Sequence, residues 1–220
     1  MSYFQYIGKT VDLEISGKVK RTGLLIDCGL DILVIYDGKH FLYIPYFHIQ
    51  QLKLNKSNDY EIQNPSGSPI DNQQDPISYR KILNNAKRFL LEIYVTGKQP
   101  IYGYLTNILS NYLVFYSPVY KTMFIPINHL KWLIPKDPAI TPYLLIKQQP
   151  AANPSHLTLA RTFREQLEKL EGSIVIFDLG EDPHRVGKLE KIQNNVVELV
   201  LAEGDKVYLH LQHLKTVHLP

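Results

Sequence analysis

Tyr43-Ile44-Pro45-Tyr46-Phe47-His48-Ile49 recurs as Phe124-Ile125-Pro126-Ile127-Asn128-His129-Leu130 and, more loosely, as Tyr208-Leu209-His210-Leu211-Gln212-His213-Leu214. The chain therefore reads as three copies of one unit, and a repeat of this length decides the architecture before any single residue is interpreted. Upstream the register persists: Gly23, Gly103 and Gly187 stand eight residues before Asp31, Asn111 and Asn195. Gly17 to Gly23 and Gly97 to Gly103 repeat a spacing of six.

Working outward from the first copy, the alternation of Val11, Leu13 and Ile15 predicts a half-buried strand that ends near Ser16-Gly17. A second strand covers Gly23 to Cys28, and the run Ile32-Leu33-Val34-Ile35 forms the third. Asp37-Gly38 signals a two-residue hairpin into a fourth strand, His40 to Ile44. Pro45 has no N–H for the ladder, so a turn of 3₁₀ helix and a fifth strand, His48 to Leu54, complete the unit. Five short, bent strands with a one-turn helix before the last describe a small SH3-like barrel. A stack of flat hairpins is the competing reading, and it leaves long edges exposed.

The expected fold class is mainly β: three tandem five-stranded SH3-like or Sm-like barrels, the second and third preceded by a short α-helix. Barrel 1 spans residues 1–55 and a flexible linker spans 56–75, polar and carrying Pro65, Gly67 and Pro69. Residues 76–135 hold a helix and barrel 2, residues 136–154 a second linker, and residues 155–220 a helix and barrel 3. The first helix is predicted from Pro76 to Lys87 with Asp75 as N-cap, burying Ile77, Ile82, Leu83, Ala86 and Phe89. Ser155 is predicted to cap the second, and Tyr143-Leu144-Leu145-Ile146 to be able to dock as an extra strand. The N-terminal copy, with only Tyr3 to Ile7 before its barrel, reads as trimmed. Units of this size lie near the lower limit for an independent core, so docking between them is expected to stabilise each.

Charge is unevenly spread. Barrel 1 carries six basic and five acidic residues, residues 76–135 seven and one, and residues 155–220 eight and ten. Only the middle unit is basic, through Arg80, Lys81, Lys87 and Arg88 on its helix above all; Lys18, Lys20 and Arg21 form a second group in the first barrel. These seven are the candidate contacts for an anionic partner or a nucleic acid. Neither a run of about 18 apolar residues nor a signal-peptide pattern is present, which predicts cytoplasmic synthesis and no membrane insertion. Cys28, the one cysteine, excludes an internal disulfide and reads as a small buried hydrophobe.

Gly-x-Gly-x-x-Gly, Walker and Cys-x-x-Cys patterns are absent, and paired acids such as Glu181-Asp182 fall on a turn, so the expectation is a non-enzyme with no catalytic residues, no metal and no cofactor. His48, His129 and His213 share one position after the turn, where an imidazole can cap a strand end or bond a carbonyl. Together with Pro45, Pro126 and His210 they form the repeated barrel-closing motif. His210 and His213, three apart on a strand, are expected to face opposite ways.

Gly23-Leu24-Leu25, Asp31-Ile32-Leu33-Val34-Ile35-Tyr36, Asn111-Tyr112-Leu113-Val114 and the Ile-Pro-x-x-His segments resemble the small domains of Bacillus spore-coat proteins of the CotB type. The likeness covers all three barrels, is most specific in Ile-Pro-x-x-His, and weakens where His210 replaces proline. It implies a structural or assembly protein deposited on the endospore surface, coat or exosporium, in contact with other spore-surface proteins or with itself as a homo-oligomer. Tyrosine-rich surfaces, with 15 tyrosines in the chain, agree with that expectation. Tyr46-Phe47-His48 is also similar to the Tyr-x-His segment of Sm-like RNA-binding proteins. That second likeness implies the barrel fold; the Asp-x-x-Met-Asn loop and Arg-Gly signature that hold uridine are missing, and Phe47 and Asn128 stand where a lysine would precede the histidine.

Overall fold

In the computed structural model, residues 3–56, 62–65, 67–70, 76–96, 99–140, 142–144 and 158–220 are described. Fifteen strands fall into three groups of five. The first group is β1 (Thr10–Ile15), β2 (Val19–Cys28), β3 (Ile32–Tyr36), β4 (Phe41–Pro45) and β5 (Ile49–Leu54). The second is β6 (Leu91–Tyr94), β7 (Ile101–Ile108), β8 (Tyr112–Ser117), β9 (Lys121–Pro126) and β10 (Trp132–Pro135). The third is β11 (Ile174–Phe177), β12 (Val186–Gln193), β13 (Val196–Val200), β14 (Lys206–His210) and β15 (Val217–His218). The fold is mainly β, and within each group the spatial order is the same: fifth strand, first, second, third, fourth.

One device bends all three units. The second strand carries a bulge at the same place in each, between Leu25 and Asp27, Leu105 and Asn107, and Leu189 and Lys191. A bulge re-aims and twists its strand, which lets five short strands curl. The repeated glycine precedes it for a steric reason. A Cβ on Gly103 would sit 2.0 Å from the Tyr116 carbonyl oxygen, and one on Gly187 2.4 Å from that of Val200.

The units are not separate beads. Strand β10 pairs antiparallel with β4, Leu133 opposite Tyr43, and β15 pairs with β9, Val217 opposite Phe124. Every strand therefore belongs to one 15-stranded sheet, joined twice by a fourth strand and the fifth strand of the next unit. The register is identical at both junctions. Tyr43 and Phe124 each stand five residues before their own histidine, Leu133 and Val217 each four after theirs.

The cores straddle these junctions. Tyr43, Ile32 and Val34 of the first unit pack with Leu91, Ile93, Phe115 and Leu133 of the second. Phe124, Tyr112 and Val114 of the second pack with Val175, Phe177 and Val217 of the third. In return Trp132 and Ile134 enter the core of the first barrel beside Leu42 and Ile44. Tyr43 and Phe124 are fully covered, and burying one such ring stabilises by about 2–3 kcal/mol.

Helix α1 (Tyr79–Ala86) and helix α2 (Phe163–Glu168) each sit at a junction. Both start later than their sequence signals suggest. Ser78, not Asp75, is the N-cap of α1, its hydroxyl accepting from the Lys81 amide. Thr162 caps α2 in a reciprocal capping box with Glu165. Asp75, Ser155, Gly97 and residues 145–146 lie outside the described residues, while Pro142–Leu144 form a 3₁₀ turn instead of a strand. Within the 56–75 segment, Ile70 is buried in the core shared by the first two units, and its amide donates to the Tyr43 hydroxyl at 3.2 Å. Asp37-Gly38 opens a four-residue hairpin loop instead of a two-residue one, because the Asp37 carboxylate accepts the amides of Lys39 and His40.

Candidate functional site

The repeated segment forms the joint of the row. After each fourth strand a single 3₁₀ turn follows, Tyr46–His48, Ile127–His129 and Leu211–His213. At the first two, the turn and its histidine face the next barrel. His48 binds Ser16 Oγ through Nδ1 at 2.7 Å within its own barrel and turns toward Asn128 of the second. Its buried Nε2 makes no hydrogen bond of good geometry among the described residues, although the Asn128 backbone lies close enough to act on its charge. His129 reaches further, with Nε2 2.9 Å from the Gln212 carbonyl of the third barrel. Asn128 and Gln212 occupy the same repeat position, so the two histidines address the same backbone site of their neighbours. His213 is exposed.

Burial pushes the His48 imidazole down to about 4, helped by the nearby Lys131 cation and by His129. His129 is lowered in the same direction, mainly by burial, with its bond to Gln212 acting the other way. Lys131 is lowered by burial and by Lys215. Each junction thus places a lysine of the incoming barrel, Lys131 or Lys215, beside the histidine of the preceding one.

The helices are tied to the preceding barrel by one repeated bond. Asp31 Oδ1 accepts the amide of Tyr79 at 2.7 Å, and Asn111 Oδ1 accepts that of Phe163 at 2.8 Å. This gives the eight-residue register after Gly23 and Gly103 its chemical meaning. Asn195, the third member, is exposed.

The two junctions differ in one respect. At the first, Tyr79 donates its hydroxyl to the Ile127 carbonyl and Phe47 meets its ring edge-on at 5.9 Å. At the second, Phe163 lacks that hydroxyl and Asn128 stands in place of Phe47. A groove of about 430 Å³ opens there, lined by Asn111, Asn128, His129, Phe163, Arg164 and Gln212. It offers amides, an imidazole and a guanidinium that already pairs with Glu168 at 2.9 Å.

The basic residues divide by use. Arg21 lies over the Trp132 ring at 5.0 Å, on whose other neighbour Tyr94 Lys131 rests at 5.5 Å, so this guanidinium helps hold the first junction. Arg80 donates to the Leu109 carbonyl at 2.9 Å, and Arg88 covers Phe89 at 5.3 Å. Lys18, Lys20, Lys81 and Lys87 are exposed. The two groups lie on separate elements, one on the β1–β2 hairpin and the other on α1 and the residues just after it. His210 and His213 come together, ring centroids 5.6 Å apart, because a 3₁₀ turn and not a strand separates them. Pro45 and Pro126 end their strands as N-caps of the turns. Cys28 is buried and its thiol pushed up by burial.

A row of small barrels fused through their fourth and fifth strands is the class these features define. Residues 162–217, the third barrel with its helix, match the family described as the YwrJ third domain. Along its length the chain is 44% identical over 220 residues, 98% of each chain, to a Bacillus subtilis (strain 168) protein named Uncharacterized protein YwrJ. The chain belongs to the YwrJ family. Among the described residues no helix is long and apolar enough to cross a membrane.

Proposed function

We propose that the protein is a structural or assembly component of the bacterial endospore surface, coat or exosporium, acting through protein–protein contacts of its tandem barrels. The observation that carries this reading is the joining of the three barrels by backbone pairing and shared cores, which makes a continuous row with extended faces. The spore-surface part is supported by the likeness of the Ile-Pro-x-x-His segments to spore-coat proteins of the CotB type. On this reading the chain is no enzyme and needs no cofactor. It is made in the cytoplasm of the sporulating cell and deposited on the spore, with other spore-surface proteins as partners. Following the protein by antibody through sporulation tests this. Late synthesis and extraction with the coat fraction are expected; uniform vegetative expression with none in the coat contradicts it.

Binding of single-stranded nucleic acid is a second reading, favoured by the open groove at the second junction and by Lys131 and Lys215. Lys131 and Lys215 lie near each other, each lysine close to the histidine of the preceding barrel. Titration with single-stranded oligonucleotides should then give an affinity that falls steeply with salt. Undetectable or salt-independent binding excludes it.

A further inference from the structure

Among the described residues the row leaves two strand edges unpaired, β14 of the third barrel and β5 of the first. They are a fourth strand and a fifth strand, the same kinds that meet at both internal junctions. Two copies of the chain have the complementary edges needed to close a six-barrel ring. We infer that the side chains at these edges are built as caps that prevent that closure, so that the protein works as a single open row of three barrels.

The argument compares equivalent positions. On the fourth-strand side, Val34 faces Tyr43 and Val114 faces Phe124 across the strand pair, and all four are buried in the next barrel's core. The third barrel has Glu198 opposite Tyr208. Glu198 is covered not by a neighbouring barrel but by two lysines of its own, Lys206 at 2.7 Å and Lys191 at 3.5 Å. Lys191 and Lys206 take the places of Asp27 and Phe41 in the first barrel, and of Asn107 and Thr122 in the second. Tyr208 keeps the aromatic character of Tyr43 and Phe124, yet it is 63% exposed where they are 1% and 0%.

The fifth-strand side has changed as well. Trp132 and Ile134 are buried in the first barrel's core, and of their equivalents Thr216 and His218, both buried, His218 packs against Tyr120 of the second. The first barrel carries Gln51 and Lys53 there, both exposed, with Lys53 3.8 Å from Asp12. In the junction register, Tyr208 of one copy would face Leu52 of the other and Val207 would face Lys53. That pairing would bury the Lys53 ammonium in the place of an isoleucine and bring the Glu198 cluster against an apolar core. An unpaired charge or a buried polar group without a partner disfavours the contact. Charged edge strands and polar outer faces on terminal units are the general means of ending such arrays.

Light scattering coupled to size-exclusion chromatography of the full chain tests the inference. The wild-type protein should elute at 25.4 kDa over a wide range of concentration. Placing the junction residues on the edges, Glu198→Val and Lys206→Thr together with Gln51→Trp and Lys53→Ile, should double that mass. If the fourfold variant does not fold, mixing the Glu198→Val, Lys206→Thr protein with the Gln51→Trp, Lys53→Ile protein gives one matched edge per pair and should yield a heterodimer. A wild-type mass twice that of the chain, lost on Tyr208→Lys, overturns the inference. So does a folded fourfold variant that remains single.

Discussion

His129 Nε2 lies 2.9 Å from the backbone carbonyl of Gln212, and this bond crosses from the second barrel to the third. The repeated histidine is thus a joint between barrels as well as the residue that follows each closing turn. Replacing His129 with Ala removes the bond and part of the packing, and should lower stability by about 1–2 kcal/mol, read as a drop in melting temperature. Unchanged melting together with loss of a partner would make the segment a binding site instead.

Asp31 and Asn111 perform one task at two junctions, while Asn195, at the same repeat position in the β12–β13 turn of the third barrel, is exposed. Asp31→Ala and Asn111→Ala should each cost about 1 kcal/mol, the usual worth of a helix-capping acceptor. Asn195→Gly, which suits the left-handed φ of 62° at this exposed turn, should lie within about 0.5 kcal/mol of wild type. Equal effects at all three, measured by denaturant unfolding, would show that the bond to the helix is not what these side chains contribute.

Stability should fall as pH drops below about 6.5. The His48 imidazole is held neutral by its folded surroundings down to about 4, whereas in the unfolded chain it takes up a proton near its ordinary value. Protons therefore favour the unfolded state between those limits, by up to about 3 kcal/mol at the acid end. His129 and His218, both lowered by burial, act in the same direction. Unfolding curves of wild type and His48→Gln across this range should diverge, with the variant losing less stability on acidification. Parallel curves would mean that His48 does not titrate abnormally.

Gly103→Ala should destabilise by about 3 kcal/mol or more, since the added carbon would stand 2.0 Å from the Tyr116 carbonyl oxygen in a strand that cannot move away. Gly38→Ala, at a φ of +96° but with open space around it, should cost only about 1 kcal/mol. A tolerant Gly103 would indicate that the second strand is free to shift at its bulge.

The barrels were legible because their signals recur. Strand alternation, the glycine before the bulge and the proline after the fourth strand appear in register, and each repetition strengthens the others. The joints were not legible in the same way. Tyr43 reads as part of a closing turn, yet its ring packs in the next barrel, and nothing local to it says so. Arg21 reads as a free cation until Trp132, far along the chain, is seen beneath it. Asp75-Pro76 looks like a helix start, but Ser78 offers its hydroxyl to the Lys81 amide and wins. The register of Asp31, Asn111 and Asn195 was visible in the sequence; its purpose needed the helices in place.

Amide hydrogen exchange along the intact chain tests most directly whether the three barrels form one row. Strands β4 and β9 are paired on both sides, whereas β14 is paired on one among the described residues. The segments around Tyr43 and Phe124, and their partners around Leu133 and Val217, should exchange as slowly as the inner strands β8 and β13, and more slowly than the outward edge of β14. Exchange at Tyr43 and Phe124 as fast as at Tyr208 would contradict the account, since it would mean that the junction strands open to solvent and the barrels move as separate units.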